Sequence, residues 1–117
     1  MTDHDVTVYI RHMLDRADEA LLFCRGRART QLDHDVMFRY AVIHALEVLG
    51  EAATRVPDAT RSTFPDVPWP QVVGLRNRLV HGYDTIDLDI VWRIVQDDLA
   101  PLTEALREGL RKLDAAP

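Results

Sequence analysis

The chain has 117 residues, 47% of them hydrophobic and 28% charged, with a net charge of −5. That length makes a single domain, 1–117, with enough core to fold without a disulfide or metal staple. The acidic balance excludes broad, charge-driven association with nucleic acid, and the lone Cys24 excludes an internal disulfide or a multi-cysteine zinc site. No run approaches the roughly 18 apolar residues of a membrane helix. The N-terminal stretch carries charges throughout and does not read as a signal peptide. A cytoplasmic protein without membrane attachment is expected. Of the 14 cations, all but Lys112 are arginine, the side chain that pairs in a planar, bidentate way with phosphate and carboxylate.

Val6, Ile10, Met13, Leu14, Ala17, Leu21 and Cys24 recur at spacings of three and four, which predicts a helix from about residue 4 to about residue 27. Gly26 loosens its last turn, and Arg25, Arg27 and Arg29 suit the negative helix end. Cys24 falls on the apolar stripe, as a buried and unreactive thiol would. His4, His12 and His34 lack a histidine partner at metal-ligand spacing and read as surface residues.

A second helix is predicted from about Asp35 to about Arg55, capped by Asp33 or Asp35 and stopped by Pro57. Phe38, Val42, Ala45, Leu49, Ala52 and Val56 form one apolar line. Met37, Tyr40, Ala41 and Val48 form another, with Ile43 and Leu46 between them. A helix apolar on so many sides is buried on more than one of them, and in a small domain a second subunit is the natural cover. Glu47, Glu51 and Arg55 form a polar row in which Arg55 can reach Glu51.

Residues 57–70 hold four of the six prolines and read as an irregular connection. Pro70 suits the first position of a third helix running through Gly74 and Leu75. Asp87 caps a last helix, in which Leu88, Val91 or Trp92, Val95, Leu99, Leu102, Leu106, Leu110 and Leu113 make a long seam. Pro101 is expected to kink that helix without ending it. The expected architecture is all-α: an up-and-down bundle of four main helices that dimerises.

Chemistry gathers between the third and fourth helices, in Arg76-Asn77-Arg78-Leu79-Val80-His81-Gly82-Tyr83-Asp84. Arginine can hold a phosphodiester and stabilise charge developing on it. Histidine suits proton transfer near neutral pH. Arg76 and His81 lie about 140° apart on a regular helix, so they converge only if the helix ends near Val80 or a second copy completes the site. On spacing alone, a second reading stands beside this one: His81 and Arg78 cap the helix end, and Tyr83 packs on the core. Asp84, Asp87 and Asp89 lack the glycine and distal glutamate of an EF-hand, and Asp87 reads better as a helix cap. The arginines at 25–29 read as a solvated helix end, and Trp92 as core.

The stretches AVIHALEVLGEAATRV and PWPQVVGLRNRLVHGYDTIDLDIVWRIVQDDLAPL resemble the HepT-type toxins of the HEPN superfamily. The resemblance covers about residues 5–106, and its most specific part is R-x4-H-x-Y, here Arg76, His81 and Tyr83, with Asn77 directly after the arginine. Gly50-Glu51-Ala52 and Pro68-Trp69 also fit. The resemblance implies a HEPN-like bundle that forms a homodimer or a higher even oligomer. It implies a toxin acting as a metal-independent endoribonuclease on RNA, with no cofactor, in a type VII-like toxin–antitoxin pair. Arg76 and His81 would be catalytic, and Asn77 and Arg78 supporting. A MntA-type nucleotidyltransferase antitoxin would silence the enzyme by transferring AMP to Tyr83. The alternative is a non-catalytic HEPN-type subunit that presents RNA or a nucleotide to such a transferase. The chain departs from the family at His44, where arginine is expected, and at Asp84, which follows the tyrosine in place of an apolar residue. A carboxylate there can repel phosphate or raise the pKa of His81.

Overall fold

The computed structural model describes the backbone of residues 3–80 and 85–115, and side chains from residue 7 onward within those ranges. Helix α1 spans Asp3–Cys24. Ile10, Met13, Ala17, Ala20 and Cys24 are buried along it, as their spacing requires. It stops at Cys24 rather than near residue 27 because Gly26 turns left-handed, with φ of 74°, a conformation open to glycine without steric cost.

A single turn, α2 (Gln31–His34), leads into α3 (Val36–Thr54). Of the two candidate caps, Asp35 is the one used: its carboxylate accepts the Phe38 amide at 3.0 Å. The line Phe38, Val42, Ala45, Leu49, Ala52 and Val56 is buried, whereas Met37 and Tyr40 on the second line are 84% and 64% exposed. Glu51 and Arg55 pair at 3.4 Å, as the row on that helix predicts. At the far end, the Arg61 guanidinium donates to the carbonyls of Ala53 and Val56, satisfying groups that a helix end leaves without intrahelical partners.

The proline-rich connection is not wholly irregular, since it contains a one-turn helix, α4 (Asp58–Arg61). Phe64 from this segment is buried against α8 (Leu99–Ala115), where a Cβ on Gly109 would overlap its ring. The Trp69 indole nitrogen donates to the carbonyls of Arg61 and Phe64, pinning the start of the next element.

The predicted third main helix is corrected to two five-residue helices, α5 (Trp69–Val73) and α6 (Leu75–Leu79). The break falls at Gly74, whose φ of −83° and ψ of 9° lie off the helical minimum. Glycine is a poor helix interior residue, and Leu75 is drawn instead into contact with Gly50 of α3. The last helix starts where Asp87 caps it, its carboxylate accepting the amides of Asp89 and Ile90. It runs as α7 (Leu88–Arg93), a π-helical turn (Ile94–Asp98) and α8. Pro101 has no amide to give the Asp97 carbonyl, and its ring crowds that carbonyl. The wider turn just before it absorbs the conflict. Val91, Val95, Leu99, Leu102, Leu106 and Leu110 of the seam are buried, Leu88 and Trp92 are half-buried against the core, and Leu113 at the seam's end is exposed.

The fold is therefore all-α, with three long helical runs rather than four: α1, α3 and α7–α8. Helix α1 packs on α3 and α8, while α5 and α6 pack on α3. Among the described residues the one β-type pairing is an isolated antiparallel bridge between Val80 and Ile86. No helix among them is long and apolar enough to cross a membrane.

Candidate active site

Helix α6 is anchored at both ends. Leu75 and Leu79, one turn apart, are buried, and the three residues between them, Arg76, Asn77 and Arg78, are all exposed. The seat beneath is made by Gly50. A Cβ there would lie 3.2 Å from the Leu75 Cβ and 3.4 Å from the Val72 carbonyl oxygen. A larger residue there would require Leu75 and α6 to shift.

The helix ends at Val80, which is extended, with φ of −81° and ψ of 128°. That satisfies one of the two conditions under which Arg76 and His81 can share a site. The bridge from Val80 to Ile86, and the Asp87 amide donating to the Leu79 carbonyl at 2.9 Å, fix the points where the chain leaves α6 and enters α7. His81, Tyr83 and Asp84 lie outside the described residues.

Arg76 and Arg78 are two residues apart and so leave α6 on nearly opposite sides. Arg78 turns toward the π-helical turn and pairs with Asp98 at 3.3 Å. Among the described residues no carboxylate pairs with Arg76, and the Asn77 side chain has no hydrogen-bond partner. With respect to those residues, the Arg76 guanidinium is left for a phosphate. Spacing could not reveal the Asp98 contact, which spans twenty residues of sequence. Its one sequence signal is Pro101, which marks a distorted turn just ahead of it.

The other charged features are engaged elsewhere. Arg27 pairs with Asp35 and covers the Phe38 ring at 4.4 Å. Arg29 pairs with Asp33 and Asp89. Two of the three arginines at 25–29 thus tie the helix junction, and Asp87 and Asp89 are occupied as cap and ion-pair partner. The Cys24 thiol is pushed up to about 11 by burial. His12, His34 and His44 are exposed.

The family model described as "Ribonuclease HepT-like" matches residues 13–109. The chain is 38% identical over 99 residues to "Putative RNase MJ1380" of Methanocaldococcus jannaschii, covering 85% of this chain and 91% of that protein. It is 35% identical over 78 residues to "Probable ribonuclease HepT" of Thermococcus cleftensis, covering 67% of this chain and 70% of that one. No solved structure matches it. The chain belongs to the HepT-like ribonuclease family.

Proposed function

We propose that this chain is the toxin of a HepT/MntA-type toxin–antitoxin pair, a metal-independent endoribonuclease whose site is Arg76, Asn77, Arg78 and His81. The observation that carries the reading is the exposed Arg76 on a helix that ends directly before His81. RNA supplies its own nucleophile. His81 takes the proton of the ribose 2′-hydroxyl, and the 2′-oxygen attacks the adjacent phosphorus. Arg76 balances the charge that builds on the phosphoryl oxygens. The 5′-oxygen leaves with a proton from a second histidine, His81 of another copy, so the products are a 2′,3′-cyclic phosphate and a 5′-hydroxyl. Asn77 orients the phosphate or His81.

Assembly as a homodimer is supported by the second apolar line of α3, where Met37 and Tyr40 stand open to solvent. A cognate nucleotidyltransferase would add AMP to the Tyr83 phenol. The added phosphodiester places negative charge beside Arg76, where it competes with the RNA phosphate, and the adenosine blocks entry by bulk. Peptide mass spectrometry after co-expression should find one AMP on Tyr83 and none on Tyr83→Phe. An unmodified Tyr83 in a neutralised complex would mean that the antitoxin acts by binding alone.

The purified chain on end-labelled RNA tests the nuclease reading. Cleavage should persist in excess chelator and yield cyclic-phosphate ends. Strict dependence on a divalent ion, or no cleavage of any RNA, would overturn it.

A further inference from the structure

Arg78 belongs to a second feature that the motif does not account for, a pocket of about 410 Å³ between α3, α5–α6 and the π-helical turn. That volume is in the range of small-molecule sites, about 300–1,000 Å³. Leu49, Val72, Leu75 and Leu102 line its inside and are buried side chains of the core. Its polar lining is Arg78, Asp97 and Asp98, with Asp66 and Gln71 from the segment before α6. Asp98 is committed to Arg78 at 3.3 Å. The Asp97 carboxylate is exposed and has no partner among the described residues. The turn that presents both aspartates is π-helical, a local distortion found frequently at functional sites.

An apolar interior with a polar mouth suits a flat ring with a hydrogen-bonding edge. A nucleobase has that form, because its faces stack on apolar groups and its edge carries N–H and C=O groups. A carboxylate only accepts hydrogen bonds, so it selects an edge that donates. Guanine presents two adjacent donors, N1–H and the N2 amino group, which one carboxylate can accept together. Uracil presents a single N3–H between two carbonyls that face the carboxylate unfavourably. The arginine at the mouth spends one nitrogen on Asp98 and keeps further N–H donors that a phosphate can accept from, and it stands on the same short helix as Arg76.

We propose that this pocket is a base subsite of the nuclease: it takes guanine on the Asp97 carboxylate, while Arg78, steadied by Asp98, contacts a neighbouring phosphate. This rests on the ribonuclease reading of α6 and adds to it a rule for where the RNA is cut. The guanine sits at a fixed offset from the bond broken at Arg76, since the Asp98–Arg78 ion pair ties the turn that carries Asp97 to the helix that carries Arg76.

The test is to map cleavage ends on a random-sequence RNA pool with the full-length protein and with Asp97→Asn. The wild-type ends should show guanine enriched at one fixed position relative to the cut. The variant should lose about tenfold of that enrichment, the order expected for one bidentate base contact. Guanosine 5′-monophosphate should also shift the amide signals of Asp97 and Val72 in the wild-type protein more than uridine 5′-monophosphate does. Cleavage with no guanine preference, or a preference unchanged in Asp97→Asn, overturns the subsite and leaves the nuclease standing. Absence of cleavage on every RNA overturns the nuclease reading itself, and the subsite with it.

Discussion

Gly50 of α3 and Leu75 of α6 meet so closely that a Cβ on the glycine would stand 3.2 Å from the Leu75 Cβ. This contact sets the height of the helix that carries Arg76, Asn77 and Arg78 above α3. Gly50→Val should therefore displace α6. Overpacking of this kind costs about 1–3 kcal/mol, measurable by urea denaturation, and RNA cleavage should fall further than the loss of folded protein explains. A variant as stable and as active as the parent would show that α6 is positioned by other contacts.

Cys24 gives a reactivity and pH prediction. Its folded pKa is raised by burial to about 11, above the ordinary value of 9.0. Below pH 9 the thiol is neutral in both folded and unfolded chains, and stability does not depend on it. Above pH 9 the unfolded chain gains by ionising, so this contribution to stability is lost progressively between pH 9 and about 11. A thiol reagent at pH 8 should label the native protein slowly and the urea-unfolded protein at once. Rapid native labelling would contradict the buried placement.

Met37 and Tyr40 give an assembly prediction. They are large, exposed, and one turn apart on the outer face of α3. Met37→Asp should leave helix content and monomer stability within about 0.5 kcal/mol, as surface substitutions usually do. It should shift sedimentation at micromolar concentration from dimer toward monomer. A parent chain that sediments as a clean monomer would remove the two-copy site.

How much of this was readable in advance depends on the element. The bounds of α3 follow from local chemistry, an aspartate that accepts an amide at one end and Pro57 just past the other, and both were legible. The core seam of α7–α8 was legible because leucines at threes and fours leave one solution. The end of α1 depended on Gly26 taking φ of 74°, which glycine permits but its neighbours do not announce. The break at Gly74 was only half legible: glycine is a poor helix interior residue, but the close approach of Leu75 to Gly50 beside it joins residues distant in sequence. In the site, the exposure of Arg76, Asn77 and Arg78 followed from Leu75 and Leu79 taking the core positions between which they sit. The pairing of Arg78 with Asp98 did not follow from anything local, since a π-helical turn brings Asp98 into place.

The central claim is that Arg76 and His81 perform the cleavage, and it is tested most directly by rate. Initial rates on one labelled RNA should be compared for the parent, Arg76→Ala and His81→Ala, each checked for unchanged helix content. Arg76 is exposed, so its substitution leaves the buried pair Leu75 and Leu79 that anchors α6 in place. Removing one charge-stabilising or proton-transferring group costs about 10²–10³ in rate. The account predicts a loss of that size for each variant, with RNA binding largely retained by His81→Ala. Parent-like cleavage by folded His81→Ala would contradict it.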